Sequence, residues 1–315
     1  MAILIFMMIA VGGYTRLSGS GLSMVGWRPV TGWLPPLNEN QWQKEFNLYQ
    51  TSPQYKKVNN HYDLEAFKGI FWSEYFHRLF GRVLGLVFFL PWLFFLFTRH
   101  LKGKGIWLYL GIGCLGGFQG FLGWYMVKSG LVDRPEVSAY RLATHLGLGG
   151  ILLGLCWWRA LRERALTFRP SAIWALCLLL LFLQILSGAF VSGTQAGHAW
   201  STLIGHPSTL WISELGWRNL FENVVTILGH HLLGAIVVTF FLLSRTREFM
   251  AQGERRTAFF LLHPLILQVT LGLITLTFYS PVRPLWFSLA HQMGAFLLLM
   301  ALIRAAFHSE KTERS

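Results

Sequence analysis

Residues 71–97 read FWSEYFHRLFGRVLGLVFFLPWLFFLF, and no residue after Arg82 in this stretch is charged. An apolar run of roughly 20 residues is long enough to cross a bilayer as a helix. In lipid the backbone must satisfy its own hydrogen bonds, and a helix does so within one segment. The stretch therefore predicts a transmembrane helix, and with it a fold embedded in a membrane.

The rest of the chain repeats this pattern. Of its 315 residues, 53% are hydrophobic and 13% are charged, which is about half the charged fraction of a soluble domain. We predict apolar segments at 1–14, 71–97, 105–127, 140–158, 171–193, 223–243, 257–279 and 285–306. The first is short for a crossing, so we expect further residues upstream of the given start. The predicted class is all-α, a polytopic membrane protein with eight transmembrane helices.

Basic residues orient these helices. The net charge is +13, and Lys and Arg cluster in the loops after the second, fourth and sixth segments: Arg99, Lys102, Lys104, Arg159, Arg162, Arg164, Arg169, Arg245, Arg247, Arg255 and Arg256. The positive-inside rule places these loops, and therefore both termini, in the cytoplasm. The charge is thus explained by a membrane lipid environment, and nucleic-acid binding is not expected.

The longest predicted external segment comprises residues 17–69. A loop of this length in a compact protein is usually functional, so we expect it to be partly ordered over the site that it covers. Residues 128–138 and 194–222 lie on the same predicted side.

The sequence also predicts an internal repeat. Two pairs of glycines share one spacing: Gly12 with Gly21, and Gly188 with Gly197. Parallel repeats are related by an axis along the membrane normal. We predict two parallel four-helix bundles, residues 1–165 and residues 166–315.

Four histidines lie at matched depth in four predicted spans: His77, His145, His231 and His291. The helical rise places each roughly 8–12 Å below the outer surface. A metal-binding side chain inside a membrane span is costly and by default indicates function. Imidazoles on facing helices are axial ligands of haem iron. The pairs His77–His145 and His231–His291 therefore predict two haem sites on the outer side.

Alternatives remain for these histidines. Each one taken alone is as well explained by a hydrogen bond to a neighbouring helix, although the matched depth of four disfavours that reading. His230 adds an ambiguity, because adjacent helical residues point about 100° apart and only one of His230 and His231 can face the core.

Glu74 precedes His77 by three residues, so both lie on one helix face. A carboxylate beside a haem edge can accept a proton or a hydrogen bond during chemistry. The alternative is an interfacial acid paired with Arg78 or Arg82. Arg16, Arg78 and Arg82 are candidates to pair with haem propionates or to reach lipid headgroups.

The chain resembles the haem A synthases in five stretches: residues 12–24 (GGYTRLSGSGLSM), 35–37 (PPL), 74–82 (EYFHRLFGR), 221–223 (FEN) and 291–292 (HQ). The resemblance covers essentially the whole chain. The three cysteines fall in predicted spans and none in an external loop, which is similar to the branch found in proteobacteria and mitochondria.

This resemblance implies oxidation of the C8 methyl group of haem O to the formyl group of haem A through successive hydroxylations. Substrate haem O would lie between His77 and His145, with Glu74 important for catalysis. A haem b between His231 and His291 would carry electrons. Implied partners are the haem O synthase (protohaem farnesyltransferase) and an unidentified electron-transfer protein; a homo-oligomer stays open. The implied location is the inner (plasma) membrane.

The second half departs from the family pattern at two positions. Leu232 stands where an arginine usually follows the histidine, and Leu228 stands where a glutamine is expected. The assignment of the ligand to His231 rests on this resemblance.

Two other functions fit part of the pattern. A dihaem b-type cytochrome that exchanges electrons with quinone fits the histidine pairs equally well, and Glu74 and the external-segment motifs favour the synthase over it. A parallel-repeat transporter would show polar or broken helices at the midplane, and the even-numbered spans are apolar there.

Overall fold

A computed structural model of the chain describes residues 1–28, 31–132, 135–164, 166–168, 171–279 and 285–309. The helices are α1 (Ala2–Leu17), α2 (Glu39–Gln50), α3 (Pro53–Lys57), α4 (Leu64–Phe97), α5 (Lys104–Gly130), α6 (Ala139–Arg162), α7 (Ala172–Gly193), α8 (Trp200–Gly205), α9 (Asn219–Glu222), α10 (Val224–Ala251), α11 (Arg255–Thr277) and α12 (Leu285–Ala305). Turns of 3-10 helix occupy Ala196–Ala199, Pro207–Leu210 and Ser213–Arg218. Two three-residue strands, β1 (Leu166–Phe168) and β2 (Phe307–Ser309), pair antiparallel.

Seven helices among the described residues are long and apolar enough to cross a membrane: α4, α5, α6, α7, α10, α11 and α12. They coincide with seven of the predicted segments and confirm a polytopic helical membrane protein. The first predicted segment forms α1, an apolar helix of 16 residues and about 24 Å.

The apolar surface of these helices faces outward. No residue is buried in the most apolar window of α4. Phe94 and Phe97 on α4, like Ile236 and Phe240 on α10, expose more than half of their surface. Continuous exposed apolar surface of this kind is rare in water-soluble monomers and marks contact with a membrane or a partner.

The predicted external loop contains ordered structure. Helices α2 and α3 lie within it, and α2 packs on the first turns of α4. Six aromatic side chains form a buried group, here called the aromatic cluster: Trp42, Phe46, Tyr49, Phe67, Phe71 and Tyr75. Helix α4 starts at Leu64 rather than at the predicted residue 71, because the Asp63 carboxylate accepts a hydrogen bond from Ala66 N (2.8 Å) and so caps the helix.

Tyr49 of the aromatic cluster belongs to a series of hydrogen bonds with polar residues beside the cluster. Asn59 Nδ2 donates to Tyr49 Oη (2.8 Å), which donates to Gln54 Oε1 (3.1 Å). Gln54 Nε2 donates to Gly19 O (2.8 Å), just beyond the end of α1. Burial raises the pKa of Tyr49 to about 12, so its hydroxyl remains a donor at neutral pH.

The chain divides within α6 into two compact units, residues 3–152 and 153–315. In the second unit α10 packs against α7 and α11, and α12 packs against α11 and α7, so four helices surround one interior. Ala165, at the predicted boundary between the halves, lies outside the described residues, and so does Arg169 of the second basic loop. The division into halves at 165/166 stays a prediction.

We expect Phe67→Ala to destabilise the first unit by about 3–5 kcal/mol, because it empties a fully buried position in the aromatic cluster and leaves a cavity. Phe97→Ala on the same helix is the matched control, since Phe97 is 78% exposed. Thermal unfolding in detergent measures both. Equal midpoints for the two variants would contradict the assigned packing.

Candidate functional site

Each of the four histidines lies against a glycine of a neighbouring apolar helix. The pairs are Gly12 with His77, Gly123 with His145, Gly188 with His231, and Gly272 with His291. A Cβ at these glycines would lie 3.1 Å from His77 Nε2, and 3.1, 3.2 and 2.9 Å from Cε1 of the other three rings in that order. These distances are shorter than ordinary van der Waals contacts. A larger residue at these positions would therefore push against the ring, and glycine lets the ring lie close to the neighbouring backbone.

At two of these sites, a glutamine one turn before the glycine contacts the same histidine. Gln119 Nε2 donates to His145 O (2.9 Å) and lies 3.4 Å from Nε2 of its ring. Gln184 Nε2 donates to His231 O (2.8 Å) and lies 3.1 Å from ring Nδ1. Both amides therefore join one helix to the backbone and the ring of a histidine on the next.

The second histidine pair is brought together inside the second unit. The ring centroids of His231 on α10 and His291 on α12 are 6.3 Å apart, with the rings nearly perpendicular at 88°. The neighbouring His230 is exposed. It is thus His231 that faces His291. In the first unit, His77 lies on α4 and His145 on α6.

The donor set of these sites fits a haem. Nδ1 of His145 and Nδ1 of His291 are buried without a hydrogen-bond partner, which is costly unless a further group binds the ring. Among the described residues, no group of three or more His, Cys, Asp or Glu side chains comes together to hold a metal ion. Two imidazoles without further protein ligands suit haem iron, whose remaining ligands come from the porphyrin.

Glu74 is buried and both of its oxygens accept hydrogen bonds. Oε2 accepts from Ser23 Oγ (2.8 Å) and from Met24 N (2.7 Å). Oε1 accepts from Arg78 Nη2 (2.6 Å) and Nε (3.1 Å). Arg78 in turn donates to Met24 O (2.7 Å) and to Gly26 O (2.9 Å). The Glu74–Arg78 pair therefore anchors residues 23–26 of the external segment to α4.

The other two arginines proposed to bind the haem propionates are Arg82, on α4, and Arg16, on α1. Arg82 Nη2 donates to Arg28 O (2.7 Å), and its guanidinium lies 5.9 Å from the Trp33 ring. Arg28 in turn pairs with Glu45 at 2.9 Å. Arg16 lies in the last turn of α1. The structure thus gives Arg82, like Arg78, a backbone carbonyl partner in the external segment.

Two cavities lie in the first unit. One of about 170 Å³ is lined by Val25, Trp27, Arg78, Trp124, Val127, Lys128 and Leu131. The other, of about 280 Å³, is lined by Leu122, Tyr125, Ser138, Tyr140, Arg141 and Thr144. Arg78 and Thr144 are neighbours in sequence of His77 and His145, but neither histidine lines a cavity.

Reasoning from the sequence missed the glutamines and two of the four glycines that contact the histidines, Gly123 and Gly272. A signal for them is present, because three helices carry a Gln-x-x-x-Gly stretch: QGFLG at 119–123, QILSG at 184–188 and QVTLG at 268–272. Ser23 was also missed, and its role depends on a hydrogen bond to a residue far along the chain.

Comparison with known sequences assigns the family. The COX15-CtaA family, described as cytochrome oxidase assembly protein, matches residues 1–303. The chain belongs to this family.

Three of its relatives carry the name Heme A synthase. The protein of Nitrosospira multiformis is 44% identical and the alignment covers 95% of this chain and 88% of the relative. That of Allorhizobium ampelinum is 41% identical, over 94% and 84%. That of Paracoccus denitrificans is 41% identical, over 98% and 85%. No solved structure matches the chain.

We expect Glu74→Ala to release residues 23–26. The substitution removes the carboxylate that accepts hydrogen bonds from Ser23 and Met24, and it leaves Arg78 without its counter-charge. Hydrogen exchange at the amide of Met24 measures this, and its rate rises. Glu65→Ala is the control, since Glu65 is exposed and pairs with Lys68 alone among the described residues. Unchanged protection of Met24 in Glu74→Ala would refute the anchoring role.

Proposed function

We propose that this chain is a haem A synthase, which oxidises the C8 methyl group of haem O to the formyl group of haem A. The proposal is carried by the presence of two of these four histidines in each compact unit of a chain 40–44% identical to proteins of that name. The dihaem cytochrome alternative is not favoured, because the names of these relatives state a synthase.

The two histidine pairs are assigned different ligands. His77 and His145 hold the substrate haem O, and His231 and His291 hold a resident haem b, which supplies electron transfer when bound. His231 and His291 already lie within one helix bundle, supported by Gly188 and Gly272. Their task is to keep that haem in place.

The residues around His77 orient the substrate and exclude water. Glu74 lies one turn before His77 on α4, and we place it beside the substrate to accept a proton or a hydrogen bond during oxidation. Its bonds to Ser23 and Met24 hold the external segment close to the same turn. Arg16, Arg78 and Arg82 are the proposed partners of the haem propionates. The bonds of Arg78 to Glu74, Met24 O and Gly26 O use four of its five N–H groups, so it would offer a propionate one hydrogen bond.

The proposed membrane arrangement has eight crossings, with α1 as the first, in two parallel repeats of four. The recurring contact of a histidine with a glycine supports the repeat, because it occurs twice in each unit. The basic loops support a topology with both termini in the cytoplasm and the histidines toward the outer face of the inner membrane. The proposed reaction requires two partners. A haem O synthase makes the substrate, and an electron-transfer protein exchanges electrons with the haem. A homo-oligomer is compatible with this arrangement.

Expression together with a supply of haem O tests the function. We expect chromatography of the extracted haems to show haem A, or the hydroxylated intermediate, together with haem b. The double variant His77→Ala/His145→Ala should lose haem A and keep haem b. Bound haem b without any oxidised haem O in the wild type would instead support the dihaem cytochrome.

Glu74→Ala should retain bound haem and lose haem A production, because it removes the carboxylate beside the substrate while leaving all four histidines. Glu65→Ala, an exposed position on the same helix, should produce haem A at the wild-type level. Haem content from the absorbance spectrum is compared with haem A yield for both. Normal haem A yield in Glu74→Ala would remove Glu74 from the reaction.

A further inference from the structure

We propose that glutamine amides secure His145 and His231, that Gln268 stands in the equivalent place for His291, and that His77, which has a methionine in this place, is the ligand that releases haem most readily. The inference rests on the proposed function and adds to it the means by which one haem is exchanged while the other is retained.

The amide contacts occur at equivalent positions. Gln119 and Gln184 donate to the backbone oxygen of His145 and of His231 at 2.9 and 2.8 Å, and each also approaches a ring nitrogen. Each of these glutamines precedes by four residues the glycine on which the same histidine ring rests. One helix turn thus provides both the space for the ring and the amide that fixes it.

A second glycine, on the histidine helix itself, makes room for each amide. A Cβ at Gly149 would lie 3.3 Å from Gln119 Nε2, and at Gly234 or Gly294 it would collide with the Oε1 of the facing glutamine. The facing residue of Gly294 is Gln268, which lies four residues before Gly272, the glycine under the His291 ring. Gln268 therefore has the same position relative to Gly272 and Gly294 as Gln119 and Gln184 have relative to their glycines.

The helix pair of His77 has the same geometry with a different side chain. A Cβ at Gly81, four residues after His77, would lie 3.5 Å from Met8 Cε. Met8 lies four residues before Gly12, the glycine under the His77 ring. Met8 therefore occupies the glutamine position of this pair. A thioether has no N–H, so it cannot donate to a histidine oxygen or ring nitrogen.

This difference matters because groups around a metal ligand orient it and set its affinity. Removing such a partner typically weakens metal binding by roughly 10–100-fold. A resident haem benefits from support at both ligands: Gln184 supports His231, and Gln268 is in the equivalent place for His291. A substrate that must leave after each reaction benefits from one supported ligand, His145, and one unsupported ligand, His77.

Transfer of haemin from the full-length protein to excess apomyoglobin tests the inference. The purified protein is loaded with haemin, and its release is followed by absorbance. We expect two phases, and the double variant His231→Ala/His291→Ala identifies the slower one by its loss. Thermal unfolding of each haem-free variant establishes that it is folded.

Met8→Gln gives His77 an amide and should slow the fast phase roughly 10-fold, whereas Met8→Leu, an apolar control, should leave it unchanged. Gln119→Met makes the reverse change at His145 and should accelerate the same phase. Gln184→Met should accelerate only the slow phase. If Met8→Gln and Gln119→Met both release haemin at the wild-type rate, the inference about the glutamines is overturned. That result would leave the proposed haem sites unaffected. If the wild type binds no haemin at all, the proposed function itself fails.

Discussion

The close approach of histidine rings to glycine backbone is the constraint on which the arrangement depends. Each ring occupies the space that a Cβ on the neighbouring helix would fill, so the two helices and the ligand are fixed by one contact. The lipid supplies no hydrophobic force between helices, and small residues at the interface let them pack closely. In this protein the same small residues also determine where a ligand nitrogen points.

The Glu74–Arg78 pair adds a second constraint, where residues 23–26 of the predicted external segment meet α4. A buried ion pair offsets its desolvation cost only when its remaining bonding capacity is satisfied, and here backbone groups of Met24 and Gly26 and the Ser23 hydroxyl satisfy it. Apart from the Ser23 hydroxyl, these partners of the pair are backbone groups of Met24 and Gly26. The pair thereby fixes the path of the chain over α4 at this level.

Hydropathy predicted the spans well because apolar residues facing lipid dominate helices such as α4 and α10. It placed the start of α4 too late, because Phe67 and Phe71 face the aromatic cluster instead of lipid and the cap at Asp63 is polar. The histidines were recognisable as costly residues within apolar spans. Gln119 and Gln184 were not, because their meaning comes from a histidine on another helix. Glu74 was identified, with its pairing to Arg78 as the alternative, but its bonds to Ser23 and Met24 join residues about 50 positions apart in the chain.

Helix α4 has 34 residues and is about 51 Å long, well beyond the roughly 30 Å of a hydrocarbon core. It carries Phe67 of the aromatic cluster, Glu74 and His77 on one continuous rod. The distance of His77 from the aromatic cluster is therefore fixed by α4 itself and does not depend on the lipid. When bilayer thickness changes, membrane helices usually tilt or the lipid adapts. The distance along α4 between Phe67 and His77 is set by the helix itself, because both residues lie on one helix of 34 residues.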